Sequence, residues 1–195
     1  TLTKQGQVYG NRSLGAKMDT QNKLWFSYPG YNELLSGSAD DIRIRSNDKV
    51  PNPNKTFLEY LNEMPAYRNK VMAFGGWDVF PFIINETRSG IPVNSGFIPA
   101  EGTTLSETEK LLNRLQEEIR GPWESVRLDP FTHHYALEAI RSQKPSILYI
   151  AYGETDDWAH DGRYDEYLKS AKQTDAYLKE LWETIQSDPY YQNKT

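Results

Sequence analysis

Three apolar runs along the chain predict short buried strands. They cover residues 23–28, 71–74 and 145–152, and each ends at a glycine or at a proline followed by a glycine, which is typical of a turn. The last run is continuously apolar and has helical patterns on both sides. Such a strand is usually covered on both faces, as in a parallel or mixed sheet. The pattern therefore predicts an α/β fold.

Apolar residues at helical spacing predict the elements between and after these strands. Asp129 and Pro130 are typical of a helix start, because aspartate suits the cap and proline suits the first turn. Pro81 is expected to interrupt or kink the helix in which it lies. Helices are predicted over residues 31–35, 54–61, 77–86, 106–120, 129–144 and 164–186.

One acidic residue, Asp175, interrupts the apolar stripe of the last predicted helix. A structural role in a hydrated groove is the simpler interpretation, and a hydrogen bond to a nearby site is the alternative. The segment 95–99 is expected to be a variable insertion near a pocket. The predicted stripe consists of Tyr164, Leu168, Ala171, Asp175, Leu178, Leu181, Trp182 and Ile185.

Composition narrows the class of protein. The chain has 195 residues, which fits a single domain over 1–195. Its formal net charge is −5 and its positive and negative residues are interspersed, so nucleic acid is not expected as the main partner. The 13 Tyr, 7 Phe and 5 Trp exclude a disordered polar chain. No run approaches the roughly 18 apolar residues of a membrane-spanning helix. The absence of cysteine excludes disulfides and a cysteine nucleophile.

The candidate chemistry begins directly after the last predicted strand. Glu154, Asp156, Asp157 and His160 follow it, and open α/β sheets bind ligands at the carboxyl ends of their strands. Asp156 and His160 are four residues apart, so one helical turn places a carboxylate and an imidazole on the same side, a pairing that zinc accepts. The alternative is an ordinary helix start with capping acids and a histidine that faces solvent.

Ser27 is the second candidate, at the end of the first predicted strand and directly before Tyr28-Pro29-Gly30. The simpler interpretation is an ordinary turn serine or helix cap. No histidine is near it in the sequence, so a metal ion is the more plausible activator if Ser27 is a nucleophile.

Together, these segments resemble the alkaline phosphatase superfamily, which includes phosphodiesterases, phosphopentomutases and sulfatases. Ser27-Tyr28-Pro29-Gly30 followed by Leu34-Leu35-Ser36-Gly37 is similar to the nucleophile motif of the phosphodiesterase branch. Residues 154–160 are similar to its E-P-D-x-x-G-H motif, with threonine in place of proline and alanine in place of glycine. The resemblance implies a mixed, mostly parallel sheet between layers of helices, in a three-layer sandwich.

The same resemblance implies a reaction and its ligands. Two divalent ions, usually zinc with magnesium or manganese as alternatives for one, would act on a small phosphate or sulfate ester. Ser27 would bind one ion and attack phosphorus or sulfur, and Asp156 and His160 would bind the other. Asn47 lies one residue away from the position at which the phosphodiesterases have an asparagine that binds a phosphate oxygen. The resemblance also makes an exported location the weakly preferred one.

The chain also departs from the family pattern. The Asp of the family's first strand, its Asp-His pair and its last His have no match here, so we expect these ligands outside this sequence and the domain to be truncated at both ends. The chain alone is therefore expected to be inactive, because two protein ligands and a serine rarely hold zinc tightly. His133 and His134 lie in a predicted helix and are expected to have surface or packing roles. A sulfatase is less favoured, because Ser27-Tyr28-Pro29 lacks the arginine of that motif. A degenerate, non-catalytic or carbohydrate-binding domain rich in aromatic residues is the alternative from another class. The sequence does not predict an oligomeric state.

Overall fold

The computed structural model describes residues 9–194 of the chain. The described residues divide into two compact units, and the boundary between them lies between Asp48 and Lys49. The second unit is an α/β structure with a small open sheet, which confirms the predicted fold class.

The sheet of the second unit has three parallel strands, β1 (Val71–Gly75), β2 (Val93–Ser95) and β3 (Ile147–Ala151). The strand order is β2-β1-β3, so β1 is central. Val71 is paired with Ile147 in the ladder between β1 and β3. Because all three strands run in the same direction, their carboxyl ends lie at one edge of the sheet.

The described part of the chain has eight α-helices, of which one lies in the first unit and seven in the second. The helix over Glu107–Glu118 packs against the helix over Asp129–Ser142, and the latter also packs against β1 and β3. The helices are α1 (Ser27–Ser36), α2 (Phe57–Glu63), α3 (Phe80–Ile83), α4 (Glu86–Ser89), α5 (Glu107–Glu118), α6 (Asp129–Ser142), α7 (Glu154–His160) and α8 (Tyr164–Ser187).

The core lies against both faces of the sheet. Phe74 on β1 packs in a cluster with Phe131 and Tyr135 of α6. On the other face, the ring of Tyr149 on β3 contacts the ring of Phe80 in α3, with 6.0 Å between the centroids. Alternate residues of a strand point to opposite faces, so the continuous apolar runs of β1 and β3 supply both contacts.

The N-terminal unit corrects one expectation. Residues 23–28 are not a strand, because helix α1 begins at Ser27 and takes up the end of this run. Trp25 is 88% exposed and has a positive φ of 56°, so its ring does not contribute to the core. Buried contacts in α1 come instead from Tyr28 and Leu35, and Gly37 in the left-handed conformation ends the helix.

The remaining elements are close to the predictions, with three exceptions. The second helix, predicted over 54–61, begins at Phe57 and is capped by Thr56. Pro81 lies in the first turn of α3 and does not kink a longer helix, since α3 and α4 are two separate short helices. Strand β2 was not expected. Among the described residues, no helix is long and apolar enough to cross a membrane.

Candidate functional site

Two glycines bring the carboxyl ends of β1 and β3 close together. The N–H of Gly76 donates a hydrogen bond to the carbonyl of Ala151 at 2.9 Å. A Cβ on Gly76 would lie 3.4 Å from the backbone nitrogen of Gly153, and one on Gly153 would lie 2.9 Å from Val126 Cγ1. A side chain at Gly153 would therefore displace Val126, and this packing positions the start of α7 directly after β3.

Helix α7 carries the predicted carboxylate and imidazole pair on one face. Asp156 Oδ2 and His160 Nε2 are 3.6 Å apart, and their side chains are 71% and 75% exposed. The prediction that one helical turn brings the two groups together is confirmed. Because both groups are in solvent, their mutual attraction adds little to stability. They are accessible to an ion or a substrate.

Asp129, the first residue of α6, supports the start of α7. Its Oδ1 accepts a hydrogen bond from the N–H of Gly153 at 2.7 Å, and its Oδ2 accepts one from the N–H of Glu154 at 3.2 Å. In return, Glu154 Oε1 accepts a hydrogen bond from the N–H of Asp129 at 2.8 Å. A buried carboxylate thus caps α7 from another helix. The predicted role of Asp129 as the cap of its own helix is wrong, because the cap position of α6 is Leu128 and Asp129 is the first helical residue.

Carboxylates are concentrated in the first turn of α7. Glu154, Asp156 and Asp157 all lie there, and acidic groups are favourable near the positive end of a helix. Burial raises the pKa of Asp157 to about 6, and the neighbouring charge of Asp156 adds to the effect. Burial also raises the pKa of Asp129 to about 7, against the lowering effect of its hydrogen bond from Gly153. The neighbouring carboxylates at the start of α7 thus oppose one another's ionisation.

The donors on α7 fit a zinc ion in part. Asp156 supplies an oxygen and His160 a nitrogen, which are ordinary zinc ligands, but a catalytic zinc usually has three protein ligands. Within residues 9–194, no group of three or more His, Asp or Glu side chains is arranged to hold a metal ion. The pair on α7 therefore requires at least one further ligand.

Ser27 and Asn47 lie in the N-terminal unit, whereas Asp156 and His160 lie in the other unit. Ser27 is exposed as the first residue of α1. Asn47 Oδ1 accepts a hydrogen bond from the N–H of Tyr28 at 3.0 Å. The structure therefore places Asn47 against the backbone next to Ser27. The catalytic role of Ser27 and the binding role of Asn47 stay predictions.

His133 is part of a buried polar network that the sequence did not predict. It is fully buried, its Nδ1 lies 2.9 Å from the hydroxyl of Tyr152, and its Nε2 lies 3.0 Å from Glu180 Oε2. The ring stacks on Tyr177 with 3.9 Å between centroids. Burial lowers the pKa of His133. This network joins α6 and α8 to the residue that follows β3, while His134 is exposed.

Two buried oxygen atoms at the same edge of the sheet have no hydrogen-bond partner in the described part of the chain. They are Oγ of Ser95, at the end of β2, and Oδ1 of Asp78, after β1. The other carboxylate oxygen of Asp78 forms an ion pair with Lys49 at 2.6 Å. Buried polar atoms are normally paired, so both atoms have unused capacity to bind water or a polar ligand.

Comparison with known proteins does not identify a family for this chain. No protein-family model, curated protein sequence or solved structure matches it.

Proposed function

We propose that the protein is a metal-dependent hydrolase of phosphate esters, and that Asp156 and His160 bind one of its divalent ions. The pairing of these two groups on α7 carries the proposal: a carboxylate and an imidazole lie 3.6 Å apart, exposed, directly after a strand of a parallel sheet. This is the edge where ligands bind in open α/β sheets.

The residues around the pair have supporting roles in this proposal. Asp129 fixes the first turn of α7 through its two backbone hydrogen bonds, so Asp156 is held on a short but anchored helix. The exposed carboxylate and imidazole are free to bind without disturbing the core. A bound divalent ion supplies charge stabilisation for a leaving oxygen and lowers the pKa of water.

Ser27 is the proposed nucleophile, on the strength of the motif resemblance. Its Oγ would attack phosphorus while the ester oxygen leaves, and water would then release phosphate from the serine. The hydrogen bond between Tyr28 and Asn47 supports the neighbouring role proposed for Asn47. The proposal includes the wider three-layer architecture and mixed sheet of the superfamily.

The proposal is tested on the full-length gene product, by its zinc content and by its turnover of three esters. The substrates are p-nitrophenyl phosphate, bis-p-nitrophenyl phosphate and p-nitrophenyl sulfate, and the variants are Ser27→Ala, Asp156→Asn and His160→Gln. We expect bound zinc in the wild type, zinc loss in the two α7 variants, and loss of turnover in all three variants. Preferential turnover of the sulfate would move the assignment to a sulfatase.

The matched control is His134→Gln, which changes an exposed histidine on α6. It should retain wild-type zinc content and turnover. The proposal is wrong if the wild type binds no zinc and cleaves none of the esters, or if His160→Gln and His134→Gln behave alike.

A further inference from the structure

A cleft of about 530 Å³ lies beside α7 in the second unit. This volume is within the range of small-molecule sites, which is about 300–1,000 Å³. The walls come from the segment after β2, from the end of α5 and from the chain that follows α5. Its lining includes Phe97, Gln116, Glu117, Arg120, Trp123 and Glu124.

Trp123 forms a rigid aromatic wall of this cleft. Its indole N–H donates a hydrogen bond to Asp161 Oδ2 at 3.0 Å. Its ring packs edge-on against Trp158 of α7, with 4.7 Å between the centroids and 66° between the planes. Because the polar atom of the indole is already paired, the part of the ring that faces the cleft offers an apolar surface.

The backbone of the segment after β2, which also lines the cleft, is fixed as well. Gln116 Nε2 donates a hydrogen bond to the carbonyl of Phe97 at 3.0 Å, which ties the segment after β2 to α5. A ligand in the cleft would therefore meet the fixed ring of Trp123 and a fixed backbone at Phe97, and both require little reordering on binding.

Three charged groups line the cleft and form no ion pair within residues 9–194. They are Glu117, Arg120 and Glu124, all exposed. Two carboxylates and one guanidinium make the charge of the lining negative, which disfavours an anion. The carboxylates accept hydrogen bonds and the guanidinium donates up to five. Adjacent hydroxyl groups of a neutral ligand can satisfy both kinds of group.

We propose that this cleft binds a sugar ring, with the C–H face of the ring on Trp123 and its hydroxyl groups on Glu117, Arg120 and Glu124. A sugar combines an apolar face with a border of hydroxyl groups, and the cleft combines an aromatic wall with unpaired donors and acceptors. Trp123 contacts residues on both sides of His160 along the chain, Trp158 and Asp161. One step rests on the proposed function: if the protein is a phosphate ester hydrolase, its substrate is a phosphate ester of a sugar.

The test is a titration of the purified protein with D-glucose, D-galactose and D-ribose, without added metal. Isothermal titration calorimetry and tryptophan fluorescence report binding. We expect saturable binding of at least one sugar with a Kd of about 1 mM, equivalent to about −4 kcal/mol. Glu117→Gln and Arg120→Ala should weaken it about three- to tenfold, and Trp123→Ala more than tenfold.

The chain offers matched controls on α5, the helix that carries Glu117. Glu118→Gln and Arg114→Ala remove the same charges from side chains that do not line the cleft, and they should bind sugar as the wild type does. Inorganic phosphate, titrated alone, should not bind in the cleft.

Three results would overturn the sugar site: no saturable binding of any of the sugars, equal binding by Glu117→Gln and Glu118→Gln, or phosphate binding that Arg120→Ala abolishes. The titration needs neither metal nor turnover. Sugar binding by a protein that cleaves no ester would therefore retain the cleft and remove the hydrolase. Ester cleavage without sugar binding would support the hydrolase and reject the sugar site.

Discussion

Helices α6 and α7 are joined at their first residues by hydrogen bonds between Asp129, Gly153 and Glu154, but the two helices are held in different ways. Nine of the fourteen residues of α6 are buried, and they contact the sheet and other helices. None of the seven residues of α7 is buried. A seven-residue helix is unstable alone, so α7 depends on its packing against α8 and on the Asp129 cap. The comparison shows that α6 supplies stability, whereas the exposed groups of α7 are available for chemistry.

The strongest test of this difference is Leu137→Ala in α6. Leu137 is 1% exposed and packs with Ile140 and Leu181, so its truncation leaves a cavity. We expect the free energy of unfolding to fall by about 2–5 kcal/mol. Urea unfolding followed by circular dichroism measures the change. Leu178→Ala, at a position that is 45% exposed, should cost less than about 1 kcal/mol. Equal losses would contradict the role given to α6.

The next effect concerns pH and the contact between the two helices. The pKa of Asp129 is about 7 in the folded protein and ordinarily 3.8, so the folded state binds more protons between these values. Stability contributed by this group therefore falls as the pH rises from about 4 to about 7. Each pKa unit corresponds to about 1.4 kcal/mol, which is an upper limit.

Asp129→Asn removes this titration. The free energy of unfolding of this variant should therefore change less with pH than that of the wild type. Urea unfolding at pH 4, 5.5 and 7, which is about the range between the two pKa values, measures the change. Parallel curves for the two proteins would show that Asp129 titrates normally. The raised pKa of Asp157 acts in the same direction but is common to both proteins.

A smaller effect is expected from Tyr152→Phe, which removes the hydroxyl that lies 2.9 Å from His133 Nδ1. The buried imidazole nitrogen then has no partner for this hydrogen bond, and we expect a loss of about 1 kcal/mol in thermal or urea unfolding. Tyr164→Phe changes a tyrosine that is 69% exposed and should stay within about 0.5 kcal/mol of the wild type. No difference between the two variants would argue against the network.

The smallest stability effect is expected from His160→Ala on α7. The ion pair with Asp156 is exposed and measures 3.6 Å, so its loss should cost less than about 0.5 kcal/mol. In the full-length gene product, zinc chloride should raise the Tm of the wild type and leave that of the variant unchanged. A large loss of stability without zinc would show that α7 has a structural role.

Elements with many local signals could be predicted from the sequence. Helix α5 has a complete capping box between Ser106 and Glu109, and β3 is a continuous apolar run before a glycine. The three-residue β2 has too little sequence for a pattern. The run at residues 23–28 misled because its apolar character belongs to exposed aromatic rings and to the start of a helix.

The candidate site could be predicted only where it depends on local spacing. Asp156 and His160 are one helical turn apart, so their spacing in the sequence was sufficient to predict that the two side chains lie close together. The link from His133 to Glu180 spans 47 residues and depends on tertiary packing. On α8, the predicted apolar stripe includes Tyr164 and Leu168, which are 69% and 51% exposed, and Asp175 is also exposed. Helical spacing alone does not tell which parts of a long helix contact a neighbour.

The position of β3 at the end of the sheet has a practical consequence. In the part of the chain described, β3 pairs with β1 on one side and the strand order continues no further on the other. Its apolar residues Ile147 and Ile150 are only half-buried. An apolar strand in such a place is a template for pairing between molecules. We expect concentrated solutions of this chain to aggregate, and a charged substitution such as Ile147→Lys to improve its solubility.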